Sequence, residues 1–280
     1  MFLAVSAMTL IVYAPLLESI IRLCARTTQA LNAFLLLGFT FAQATIDAWK
    51  RYRFHPVINS HGLVLFSVSC LVLVMASLLS LWPLSILGLC INLGALLSFG
   101  FGRRGAAVFY PALAGLGLAA ALVIFVPQLD RGLRILAAHW SSWLLTHLGI
   151  QADLVFRRLP FQVVLVAEKG AGVFDVASEC NGFGILLSSL VLTVVLVLRG
   201  HYGWRRIVGL LLLALGMGLV FNTVRIVAIV LAALQTDIDY GLIHEGLGTA
   251  VYLLALTGVY AAIRLAQPSR GEAPALTSPR

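Results

Sequence analysis

Residues 207–234 read IVGLLLLALGMGLVFNTVRIVAIVLAAL, and this stretch decides the fold class. It contains one charged side chain, Arg225. About 20 apolar residues in a helix cross the hydrocarbon of a bilayer. The stretch therefore reads as a membrane span. Seven more runs follow the same rule, at 2–21, 30–46, 61–82, 84–101, 108–127, 182–198 and 247–265. Whole-chain composition agrees: 61% of the 280 residues are hydrophobic, 11% are charged, and mean hydropathy is +1.01. A soluble domain carries about 25% charged residues, and a disordered chain needs low hydrophobicity. Both classes are excluded. The expected fold is an all-α polytopic membrane protein of about eight transmembrane helices. A Trp82-Pro83 turn makes the third and fourth runs a helical hairpin.

The loops between the spans set the orientation, because Lys and Arg concentrate on the cytoplasmic side. One set of loops holds Lys50, Arg51, Arg53, Arg103, Arg104, Arg199, Arg205, Arg206, Arg264, Arg270 and Arg280. The opposite set holds Arg22, Arg26, Arg131, Arg134, Arg157, Arg158 and Lys169, together with most of the acidic residues. Both termini are thus expected in the cytoplasm, with Arg22 and Arg26 as an outer-side exception. The net charge of +8 is dispersed in twos and threes at membrane edges. That pattern serves anionic headgroups and argues against nucleic acid as a partner.

Residues 128–180 break the apolar pattern. Residues 133–148, LRILAAHWSSWLLTHL, have leucine and tryptophan at helical spacing and are expected to lie in the outer interface. The β-branched runs Phe161–Ala167 and Val173–Ala177 flank a Gly-containing turn and read as a small β-hairpin on the outer side, before helix six. Four parts result: a five-helix membrane region at 1–127, the outer-side interfacial helix and hairpin at 128–180, a three-helix catalytic region at 181–266, and a cytoplasmic tail at 267–280 expected to be disordered.

Three residues stand out where spans meet the outer surface. Cys180, in Ser178-Glu179-Cys180-Asn181-Gly182-Phe183-Gly184, opens span six. A helix N-terminus favours an anion, and the thiolate is the nucleophilic form of cysteine. A bland, inert thiol is the competing reading. Arg225 lies about 27 Å of helix rise beyond Ile207, near the outer end of its span. An intramembrane arginine marks a functional site by default, against the alternative that it snorkels to headgroups or pairs with Glu18. His244, followed by Glu245, precedes span eight. Singly, each has an ordinary explanation. On three successive spans and one surface, they supply a nucleophile, a cation for an oxyanion and a proton carrier. The cysteines show no metal-binding spacing, and nothing in the spacing favours a Cys24–Cys180 disulfide.

Together, Cys180-Asn181-Gly182, Asn222-Thr223-Val224-Arg225-Ile226 and His244 resemble the exosortase/archaeosortase family of membrane-embedded cysteine transpeptidases. Asn181 replaces the serine of many members, and Phe183 a small aliphatic residue. The resemblance implies catalysis by Cys180, Arg225 and His244, supported by Glu179, Asn181, Gly182, Asn222 and Glu245, without metal or other cofactor. It implies substrate proteins bearing a C-terminal motif, a hydrophobic helix and a basic tail, cleaved on the outer side of a bacterial or archaeal cell membrane and passed to a lipid or glycan acceptor. From the residues alone, a transporter or a lipid- or polysaccharide-handling protein, with Arg225 on an anionic headgroup, is the rival. No second half repeats the first, as many transporters would show.

Overall fold

The computed structural model describes residues 2–26, 28–157, 162–167, 172–175, 182–200, 202–236 and 238–267. Eight helices and three strands occur among them: α1 (Phe2–Arg26), α2 (Thr28–Arg51), α3 (Ser60–Leu78), α4 (Trp82–Ala107), α5 (Tyr110–His147), β1 (Ala152–Arg157), β2 (Gln162–Ala167), β3 (Gly172–Asp175), α6 (Phe183–Gly200), α7 (Trp204–Gln235) and α8 (Tyr240–Leu265). Six of the helices, α1, α3, α4, α6, α7 and α8, carry a segment long and apolar enough to cross a membrane. The chain is an all-α, multi-pass membrane protein.

Local chemistry places the helix ends. Asn59 caps α3 by accepting the Gly62 N–H at 2.7 Å, and Asp239 caps α8 by accepting that of Leu242. Proline stands in the first turn of α4 and of α5, where its missing N–H costs nothing. Near its end α4 breaks at Gly102, whose φ of +70° suits glycine.

The longest helix corrects the sequence reading. Instead of span five followed by a separate interfacial helix at 133–148, α5 runs unbroken for 38 residues. The boundary expected at 127/128 falls inside it. Asp130 and Arg134 lie one turn apart and pair, mostly buried, so the two charges neutralise each other without leaving the helix. Beyond them, Ala137, Ala138 and Leu145 pack on Ile226, Val227 and Val230 of α7. That packing holds this half of α5 against α7.

The strands form one antiparallel sheet in the order β1-β2-β3. Val164 faces Asp175 across β2 and β3, and Ala152 faces Ala167 across β1 and β2. The hairpin thus has a third strand, β1, that the sequence reading did not mark. Ser142 of α5 donates a hydrogen bond to the Ala152 carbonyl at 2.6 Å, which ties the sheet to the end of α5.

Contacts between helix ends define two poles. The C-termini of α6 and α8 meet where the Tyr202 hydroxyl donates to the Ile263 carbonyl, and Arg199 reaches Gln43 of α2. This pole carries Lys50, Arg51, Arg199, Arg205, Arg206 and Arg264. The sheet, the end of α5 and the start of α6 form the opposite pole. Between the poles Phe183, Leu187, Val191 and Val195 of α6 pack with Leu37 of α2 and Ala119 of α5. Glu18, raised above as an alternative partner for Arg225, is exposed and paired with Arg22, one turn on in α1.

Candidate functional site

The site is built where α6, α7 and α8 meet at the sheet pole. Gly182 immediately precedes α6 and has φ +80°, a conformation that costs L side chains and not glycine. Its carbonyl accepts the Leu186 N–H at 3.0 Å, so it already begins the helix. A Cβ on Gly182 would stand 2.6 Å from Cγ of Asn222. The backbone at the start of α6 therefore rests directly on the Asn222 side chain of α7. A second close approach follows deeper in the bundle, where a Cβ on Gly218 would meet Leu186 at 2.7 Å.

Arg225 stands almost one turn beyond Asn222 on α7, so the two share a face. Both are buried. The Arg225 guanidinium reaches α8, where its Nη2 lies 3.5 Å from Nε2 of His244. Guanidinium is donor-only, so Nε2 can engage it only as an acceptor, with the ring proton on Nδ1. The Tyr240 ring flanks the imidazole, centroid to centroid at 6.0 Å. One turn after His244 comes Gly248, where a Cβ would lie 3.0 Å from Nε and 3.1 Å from Nη2 of Arg225. Gly248 thus leaves the space that the guanidinium fills against the α8 backbone. One turn further along, Tyr252 donates to the Ser188 hydroxyl at 2.8 Å and pins α8 to α6.

Of the residues singled out in the sequence, the structure joins Arg225 with His244, and Gly182 with Asn222. Glu245 is exposed and makes no hydrogen bond or ion pair among the described residues. Cys180, Asn181 and Glu179 lie outside the described residues, as does the Cys24–Cys180 pairing. Cys70 and Cys90 are free thiols. Sequence reasoning missed Gly248 and Tyr252. Their signal was present: both fall at four-residue steps from His244, on its face of α8. Among the described residues, no group of three His, Cys, Asp or Glu is arranged to hold a metal ion.

Chemically, the described part of this site offers a buried cation beside an imidazole. The cation can stabilise negative charge that develops on a reacting oxygen, and the imidazole can carry a proton. Comparison with curated proteins and with solved structures finds no match. Residues 25–261, which include every described residue of this site, match the family model described as transmembrane exosortase. The chain belongs to the transmembrane exosortase family.

Proposed function

We propose that this protein is a cysteine transpeptidase that cleaves the C-terminal sorting signal of surface-destined proteins at the outer membrane face. The observation that carries the reading is the buried Arg225, in contact with the half-buried His244 of α8 and on the same α7 face as Asn222, which lies against Gly182. Cys180 is two residues before Gly182 in the chain, a reach of at most about 7 Å. The arginine-rich pole then faces the cytoplasm, following the positive-inside rule, and the sheet pole faces outward.

In this mechanism the Cys180 thiolate attacks the scissile carbonyl carbon, and the carbonyl π pair moves to oxygen. Arg225 donates hydrogen bonds to that oxyanion. Collapse of the intermediate breaks the C–N bond, and His244 delivers a proton to the leaving amine, giving a Cys180 thioester. An amine or hydroxyl of a lipid or glycan then attacks the thioester. Its proton passes to His244, and the thiolate leaves. Water in the acceptor's place gives simple cleavage. The β3 strand leads along the chain toward Cys180, and its edge is a template on which an extended recognition motif adds as a further strand.

The test uses a reporter made of a secreted domain and the C-terminal signal (motif, apolar helix and basic tail) of a surface protein from the same cell. Cys180→Ala and Cys180→Ser should both leave the reporter full length. Normal processing in either variant removes the cysteine mechanism. A membrane-impermeant thiol reagent tests the orientation, and labelling of Cys180 only in opened cells would reverse it.

A further inference from the structure

The Asp130–Arg134 ion pair of α5 stands at the same corner of the bundle as the site. Asp130, Arg134, Ala138, Ser141 and Leu145 follow at steps of three or four, so they share one side of the helix. Ala138 and Leu145 pack on Ile226, Val227 and Val230 of α7, and Ile226 is the chain neighbour of Arg225. Leu133 packs against the α6 cluster that contains Phe183 and Leu187. It meets that cluster at its sheet-pole end. A Cβ on Gly115 would lie 3.4 Å from Val191 and 3.1 Å from Val195, and Leu133 is about 27 Å of helix rise further along α5. At about 100° per residue, Leu133, Asp130, Arg134 and Ala138 stand at roughly −60°, 0°, 40° and 80° around α5. The pair therefore looks into the seam between α6 and α7, where α6 begins. Its side chains are 16% (Arg134) and 19% (Asp130) exposed. Further along the same stripe Ser141 is fully buried, and its hydroxyl has no hydrogen-bond partner among the described residues. This seam is polar where the rest of the stripe is alanine and leucine.

We propose that Arg134, held by Asp130, is a second cation of the site, a positioning residue that keeps the Cys180 sulfur as thiolate while Arg225 serves the oxyanion. The proposal rests on the transpeptidase reading and adds what activates the nucleophile. Three observations carry it. The first is order along α5. This helix rises toward the sheet pole, and Arg134 is one turn beyond Asp130. The cation thus stands on the side from which the chain enters α6 at Gly182, and the carboxylate stands deeper. The second is the local charge. Glu179 adjoins Cys180 in the chain, and a neighbouring carboxylate disfavours a thiolate. Among the described residues the groups facing the start of α6 are Arg225 of α7, His244 of α8, and Asp130 and Arg134 of α5, with Asp175 at the end of β3. Arg225 is engaged on α8, against His244 and Gly248. Arg134 is the cation of the α5 wall. The third is energetic. A buried ion pair gains little stability over apolar side chains of the same volume, so bracing α5 does not account for it. Arginine keeps its charge at every working pH, so Arg134 supplies field and moves no proton. The proton that leaves the thiol goes to His244, which then delivers it to the leaving amine.

The test is the rate at which iodoacetamide alkylates Cys180 in the full chain in lipid nanodiscs, read as a pH profile by mass spectrometry of the Cys180 peptide. Arg134→Gln should slow alkylation about tenfold near neutral pH. An adjacent guanidinium shifts the ionisation of an acidic group by tenfold or more, and Asp130 beside it keeps the effect at the lower end. Losing the cation raises the pH at which the thiol ionises, so the deficit should fade above about pH 8.5, where a free thiol ionises unaided. Arg134→Lys should keep most of the parent rate. Asp130→Asn should not slow alkylation, because it removes the opposing charge. An unchanged profile in Arg134→Gln overturns the proposal. So does a deficit that persists at about pH 10, or an equal slowing in Asp130→Asn, since a pair that only braces the helix is broken from either side. If Arg134→Gln shifts the profile as expected while Cys180→Ala still processes the reporter, the second cation stands and the cysteine mechanism falls.

Discussion

Among the described residues, one polar cluster in each half of the chain illustrates opposite principles of construction. In the first half Thr9 of α1 donates to the Asn92 amide oxygen at 2.9 Å, and the Asn92 amide donates to the Ser69 hydroxyl of α3 at 3.0 Å. All three are buried and neutral, and each satisfies another. Such a chain fixes how α1, α3 and α4 pack and leaves nothing to react. In the second half Arg225 and His244 bring an ionic donor and a titratable ring into contact, and glycines at 182 and 248 press backbone against Asn222 and Arg225. Burying a charge costs several kcal/mol, which a purely structural contact does not require. The first cluster holds helices together, and the second is the one to which the proposed function assigns chemistry.

Substitutions sharpen that contrast. Arg225→Gln should have the largest effect, a loss of about 10²–10³ in processing rate, as for other oxyanion donors. Lysine at 225 should restore little of it, because it keeps the charge without the planar fork that fits beside His244. Single-turnover processing in isolated membranes measures both. Near-normal activity in Arg225→Lys would make the arginine a simple point charge. Next comes Gly182→Ala, which combines a strained backbone with the Asn222 contact. It should lower stability by about 1–3 kcal/mol in detergent melting, together with activity. Adding Asn222→Ala should relieve the contact and leave the strain, so recovery should be partial.

Gly248→Ala should act more gently. Its Cβ would stand 3.0–3.1 Å from the mobile end of Arg225, which can yield by a few tenths of an ångström. Processing should fall about tenfold, with melting nearly unchanged. The smallest effect is expected from Asn92→Leu. It should cost about 0.6–1.7 kcal/mol of stability, the range for hydrogen bonds between membrane helices. Processing per folded molecule should not change. If Asn92→Leu reduced turnover as strongly as Gly248→Ala, the division between the two clusters would collapse.

Hydropathy made most of the fold legible, since lipid demands long apolar helices and this chain supplies them. It failed where polar residues are handled locally. Around Asp130 the charges read as the end of a span, yet an ion pair one turn long lets α5 continue. In α2, the polar residues after Ile46 read as a loop, but the helix extends to Arg51, where Lys50 and Arg51 suit a C-terminal turn. β1 escaped notice because Asp153 and Arg157 hide a short alternating strand. At the site, Arg225 and His244 were legible because charge is scarce among spans. Gly248 was harder to see: it falls one turn from His244, but 25 glycines lie in the chain, and the arginine opposite this one gives it its role.

The unbroken length of α5 has a mechanical consequence. The helix is continuous from its start at Tyr110 to the half that carries Trp140, Trp143 and the contact to β1. It therefore acts as a lever. From Asp130 to His147 the arm is about 26 Å long, so a tilt of about 20° swings its tip by roughly 9 Å. A change in bilayer thickness that re-tilts the helix displaces the tip, and the sheet fastened to it, much farther than the tilting base. Re-tilting α5 would thereby move the sheet pole without any ligand binding there.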